Sequence, residues 1–195
     1  MTKESSSLKR DLEGLRRLRE AGDIAGLIRA LASREEKKGY TLRGRAARYL
    51  GELQAESALT AVGELTTDPA LHARESAVYA LGRIGRPEAL PVLIAALGDP
   101  TVRPVAAASL GDIGDARAVP HLVQVLEDPK FLTRATAINA LLRIDDRSGR
   151  EAAERRLQAE SWVRTLGLTK HLRRHRRRVR RLANASPDER DDQKR

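Results

Sequence analysis

The sequence predicts an all-α solenoid of about five antiparallel helix pairs, closed by a basic C-terminal helix. Three residue columns carry this prediction. The leucines Leu50, Leu81, Leu110 and Leu141 step by 31, 29 and 31 residues. The dipeptides Asp68-Pro69, Asp99-Pro100 and Asp128-Pro129 step by 31 and 29, and Arg43, Arg74, Arg103 and Arg134 step by 31, 29 and 31. Columns in phase mark one repeated unit of about thirty residues. Such a unit cannot bury its apolar side alone, so successive units must stack in chain order.

The first unit, 7–33, is degenerate. Leu8, Leu12, Leu15 and Leu18 form one helical stripe, and Ser7 is the expected N-cap. Gly22 breaks this helix, and Asp23 caps a second one carrying Ile24, Leu27, Ile28 and Leu31. A charged linker, 33–40, takes the place of the Asp-Pro turn. The remaining pairs read as 41–67, 72–98, 102–127 and 132–158.

Their grammar is clearest in the third unit. Ala77, Ala80, Leu81 and Ile84 fall at i, i+3, i+4, i+7, and Gly85 stops the helix. Pro87 opens the next helix, whose stripe is Leu90, Leu93, Ile94 and Leu97. Asp99-Pro100 ends it, because proline disfavours helix in the residue before it. Ala46, Ala77, Ala106 and Ala137 let neighbouring helices approach closely. Alternating β-branched runs are absent, so no strand is expected.

Composition agrees with a packed helical body. Hydrophobic residues make up 41% and charged residues 33% of 195 residues. Aromatics are only 3%, so Leu, Ala, Val and Ile must build the core. With no cysteine, disulfides, zinc-thiolate sites, iron–sulfur clusters and thiol nucleophiles are excluded. No secretory signal is evident, and no run approaches the roughly 20 apolar residues of a membrane helix. The expectation is a cytoplasmic protein with no membrane span.

The net charge of +10 is concentrated. Residues 161–182 hold nine Lys and Arg and no acid, and without them the chain has 28 basic against 27 acidic residues. Solenoid is expected over 1–158, a basic helical segment over 159–184 and a disordered tail over 185–195. In the basic segment Leu168, Leu172, His175, Val179 and Leu182 form a narrow stripe after Gly167. Arg173, Arg174, Arg176, Arg177, Arg178, Arg180 and Arg181 cover the other faces. The stripe suits a helix capping the last repeat. Seven crowded arginines suit an anion: the phosphates of RNA or DNA, an anionic membrane surface or an acidic protein. With no aromatic beyond Trp162 to stack on bases, nucleic-acid contacts would go to phosphates and fall steeply with salt.

The Asp-Pro turn, the following arginine and the Ala/Ser-Leu-Gly-x-Ile-Gly helix end, as in 74–85 and 103–114, resemble HEAT-type repeats. The short class associated with phycobilin lyases is the nearest in pattern. The resemblance covers roughly 41–158 well and 7–33 weakly. It implies a right-handed superhelix whose second helices, 56–65, 88–97 and 116–126, line the inner face. On that face Glu64 and Gln124 are candidate protein-binding residues. The family includes scaffolds, lyases and hydroxylases, so function must be argued from a site.

The arginine column has two readings. Arg43, Arg74, Arg103 and Arg134 could bind an anionic partner, or form a structural ladder with Asp68, Asp99 and Asp128 and with neighbouring carbonyls. The ladder is preferred because the residues occur once per repeat. Deoxyhypusine hydroxylase, which resembles this fold, uses His-Glu pairs, and this chain has none. His-Glu-x-x-His is also absent, as are a Gly-rich phosphate loop and a Gly-x-Ser-x-Gly elbow. His171 and His175 share a helical face but sit among arginines that repel cations. The acidic pairs Glu35-Glu36 and Asp145-Asp146 read as solvated charges. No aromatic and acid set matches the HEAT-like alkylpurine DNA glycosylases. The chain therefore reads as a non-enzymatic interaction scaffold with no cofactor and a protein partner. The alternatives are nucleic-acid association through the arginine helix and, ranked lower, a lyase or hydroxylase.

Overall fold

The computed structural model describes residues 3–33 and 39–159. Among these residues every regular element is helical, and the helices form five pairs. The pairs are α1 (Lys3–Glu20) with α2 (Ile24–Leu31), α3 (Gly39–Glu52) with α4 (Leu59–Glu64), α5 (Leu71–Ile84) with α6 (Leu90–Ala96), α7 (Arg103–Ile113) with α8 (Val119–Val125), and α9 (Phe131–Arg143) with α10 (Arg147–Ala159). First helices stack in chain order, α1 on α3, α3 on α5, α5 on α7 and α7 on α9. Each second helix from α2 to α8 lies against the first helix of the following unit. The all-α solenoid is therefore present. The chain divides into two compact units, Met1–Glu154 and Arg155–Arg195. The first unit holds the solenoid as far as Glu154 in α10.

The predicted stops hold where they rest on backbone chemistry. Gly85 and Gly114 end α5 and α7 at φ 72° and 75°, the left-handed region that a side chain disfavours. Asp23 caps α2, its carboxylate accepting from the Gly26 amide at 2.8 Å. Ser7 is not a cap. It lies inside α1, and its hydroxyl donates to Asp11, one turn on, at 3.5 Å. The second helices begin later than expected. Glu56–Ala58, Pro87–Ala89 and Ala116–Ala118 are 3-10 turns, closed by bonds such as the Ala89 amide to the Arg86 carbonyl at 3.0 Å. The tighter turn seats a fully buried alanine, Ala58, Ala89 or Ala118, at each corner. Pro91 and Pro120 follow as the second residues of α6 and α8, where a missing N–H costs little.

The periodic leucines form the core. Leu50, Leu81, Leu110 and Leu141 are buried, as are Ala46, Ala77, Ala106 and Ala137. The closest approach between units belongs to the glycine after each leucine. A methyl group on Gly51 would stand 2.7 Å from Ala80 Cα, on Gly82 2.5 Å from Ser109 Cβ, and on Gly111 2.6 Å from Ala140 Cα. First helices thus touch backbone to backbone. In the fifth unit the same position is Leu142, so the glycine seam stops there.

Two buried serines give a paired prediction. Ser109 donates to the Val78 carbonyl of the preceding unit at 3.0 Å, whereas the buried Ser76 hydroxyl has no hydrogen-bond partner. Ser109→Ala should destabilise by about 1 kcal/mol, and Ser76→Ala should be neutral or stabilising, in urea unfolding.

At the ends of the first helices, Arg19, Glu52, Arg83, Asp112 and Arg143 alternate in sign from unit to unit. Arg19 reaches Glu52 at 3.3 Å, and Arg143 pairs with Asp112. Each exposed pair is worth only about 0–1 kcal/mol. A unit stacked out of order would set like charges together.

Candidate protein-interaction face

The Asp-Pro turns are built as a ladder. Each aspartate uses one carboxylate oxygen on its own turn: the amides of Ala70, Thr101 and Lys130 donate to Oδ1 of Asp68, Asp99 and Asp128 at 2.8, 2.8 and 2.7 Å. The other oxygen takes the arginine 25 residues earlier, and Asp68 Oδ1 also accepts from Arg43 at 3.0 Å. Arg43 Nε donates to Asp68 Oδ2 at 2.7 Å, Arg74 Nε to Asp99 Oδ2 at 3.0 Å, and Arg103 pairs with Asp128. The same guanidinium groups reach back to the preceding turn. Arg43 donates to the Ser33 carbonyl at 2.6 Å, Arg74 to the Asp68 carbonyl at 2.9 Å, Arg103 to Leu97 at 2.6 Å and Arg134 to Asp128 at 2.9 Å.

These hydrogen bonds tie each unit to the next through charge-assisted contacts, the stronger kind. The guanidinium groups of Arg43, Arg74 and Arg103 donate to carboxylates and carbonyls of the neighbouring turns, the arrangement a structural ladder requires. The carboxyls titrate accordingly. Burial pushes Asp68 and Asp128 up, but the arginine and turn-amide hydrogen bonds outweigh it and hold both below the usual carboxylate range. Asp99 is lowered chiefly by the Thr101 hydroxyl and amide, then by Arg74.

The second helices present a different surface. Glu64 at the end of α4 and Gln124 in α8 are both exposed, with Ala95 of α6 at the equivalent position between them. Helices α4 and α6 are neighbours, since a methyl on Gly63 would meet Val92 at 3.8 Å. Between α6 and α8 lies an open groove of about 430 Å³. Ile94, Leu97 and Val125 give it apolar walls, His121, Gln124 and Glu127 give it polar ones, and the ladder pair Arg103 and Asp128 borders it. It opens here because of side-chain size. Where the other units place Glu64 and Thr67, or Gln124 and Glu127, this unit has Ala95 and Gly98. The structure thus puts Gln124 in a groove and Glu64 on a helix two units away.

A second exposed feature is not visible in the helical periodicity. Tyr40, Leu71 and Phe131 stand 40, 43 and 41% exposed, each three residues before a ladder arginine, and Leu132 is 66% exposed. Pro100 fills the place between. Counting back from the arginine column finds this row.

Other predicted chemistry separates from this face. Among the described residues no group of three or more His, Asp or Glu is placed to hold a metal, and no helix is long and apolar enough to cross a membrane. Asp146 is not merely solvated: its carboxylate accepts from the Gly149 amide at 2.8 Å and caps α10. Arg173, Arg174, Arg176, Arg177, Arg178, Arg180 and Arg181 lie outside the described residues, as do His171, His175 and the Glu35-Glu36 pair.

Comparison with known proteins adds three findings. The family model for HEAT repeats matches residues 24–108 and 97–186. Among solved structures, the complex of CpcE and CpcF of phycocyanin lyase from Nostoc sp. PCC7120 is similar over 80% of this chain and 72% of that chain, at 26% identity and a TM-score of 0.58. No curated protein matches the sequence.

Proposed function

Because the chain belongs to the HEAT-repeat family, we propose that it is a non-enzymatic adaptor that binds a partner protein on the face of its second helices. One observation carries this reading. The turn arginines and aspartates are paired with one another, and beside the Arg103–Asp128 pair α6 and α8 leave an open, mixed apolar and polar groove with Gln124 at its wall. Stacked units present an extended surface of second helices, and a partner protein docks on such a surface.

The similarity to a two-chain lyase complex supports a protein partner, and it also favours a second reading, in which this chain is one part of a lyase. A third reading rests on the basic segment 161–182, which would hold nucleic acid through its phosphates. One experiment separates them. The full chain is cross-linked in its native host and purified with and without nuclease. The adaptor reading expects a defined protein that survives nuclease and is lost on Gln124→Trp, which fills the groove. It should persist on Asn139→Trp, an exposed change on α9. Partner loss on nuclease treatment would favour nucleic acid instead. A co-purifying pigment would favour the lyase.

A further inference from the structure

The three central second-helix segments carry a net charge opposite to that of the chain. From the residue before each 3-10 turn to the residue before each turn aspartate, the three central second-helix segments are 55–67, 86–98 and 115–127. They hold five acids, Glu56, Glu64, Glu88, Asp115 and Glu127, against two bases, Arg86 and Arg117. Both arginines are clamped from within the set, Arg86 by Glu56 and Arg117 by Asp115 at 2.8 Å. These three segments are therefore net −3 on a chain of net +10. The groove opens between two of them, with apolar walls from Ile94, Leu97 and Val125 and the paired Arg103 and Asp128 at its border. Glu64 and Glu88 are exposed on the two units leading up to the groove.

We propose that this face takes a basic amphipathic segment of a partner protein, seating apolar side chains in the α6–α8 groove and setting Lys or Arg over Glu64 and Glu88. The inference rests on the adaptor reading and specifies its partner. Charge complementarity directs the choice: opposite potentials speed encounter and fix register, while like charges exclude wrong partners. Phosphates would meet net negative charge here, so a nucleic acid is not the occupant of this face. A helix whose apolar stripe recurs at i, i+3, i+4, i+7 is a segment of the required shape.

The test uses the full chain and two labelled synthetic helices with the same leucine stripe, one with lysine and one with glutamate on its other faces. Fluorescence anisotropy at physiological salt reads the binding. The lysine helix should bind and the glutamate helix should not. Glu64→Lys/Glu88→Lys should weaken the lysine helix at least about tenfold, as should the uncharged Gln124→Trp. Glu13→Lys/Glu20→Lys, which alters total charge equally but lies on α1, should leave binding unchanged. Equal binding of the two helices, binding of neither, or indifference to Glu64→Lys/Glu88→Lys would overturn the proposal. If Gln124→Trp still loses the cross-linked partner while Glu64→Lys/Glu88→Lys keeps it, the adaptor reading stands and the basic partner falls.

Discussion

Asp68→Ala is expected to destabilise the solenoid by about 3 kcal/mol, read as a lower urea midpoint with an unchanged slope. The side chains of Arg43 and Asp68 are only 15 and 7% exposed. Removing the carboxylate leaves a largely buried guanidinium facing nothing of opposite charge, and it also frees the Ala70 amide of the turn. Asp99→Ala should cost less, about 1 kcal/mol, because Asp99 is 32% exposed and water can replace it. Asp68→Asn separates the two roles. The amide oxygen can still accept from Ala70, but the charge facing Arg43 is gone, so the loss should fall between wild type and alanine.

The same pairs set an acid limit. Asp68, Asp99 and Asp128 all have folded-state pKa values below the usual carboxylate range. Their contribution is complete above the unfolded carboxyl value of about 3.9 and disappears as pH falls through the lowered folded values. Thermal stability should be flat near neutrality and drop below about pH 4. In Asp68→Ala that drop should be smaller, since one of the linked protons is no longer taken up on unfolding.

Period and cap chemistry were legible in the sequence because both are local or strictly repeated. Gly85 and Gly114 announce a left-handed stop whatever surrounds them, and a column such as Arg43, Arg74, Arg103 and Arg134 is visible without knowing what it touches. Partner choice was less legible. An arginine once per repeat could serve a ligand or a turn, and only the 25-residue return of the chain brings Asp68 to Arg43. The groove was hidden for another reason. It depends on what Ala95 and Gly98 lack, so it appears only when α6 and α8 are set side by side. Ser7 misled because a serine near a helix start has the right chemistry for a cap, yet the polar run before it also accepts helix and α1 begins at Lys3.

The glycine seam carries the other large effect. Gly82→Ala would set a methyl 2.5 Å from Ser109 Cβ and 2.8 Å from its Cα, distances that real Cβ atoms do not tolerate. Rotation of a flexible side-chain end cannot relieve this, because the obstacles are the backbone of α7 and the first carbon of its side chain. Helices α5 and α7 must therefore move apart, and both are locked to their other neighbours by the same seam at Gly51 and Gly111. Overpacking of a close-packed contact costs about 1–3 kcal/mol, and Gly82→Val should exceed Gly82→Ala. The intrinsic helix propensity of alanine over glycine works the other way by about 1 kcal/mol. That makes the sign informative. A helix glycine kept only by chance gains stability on conversion to alanine, and one that forms a seam loses it. Gly14 in α1, where an added methyl would meet nothing within 4 Å, is the internal reference. Gly14→Ala should raise the urea midpoint while Gly82→Ala and Gly111→Ala lower it.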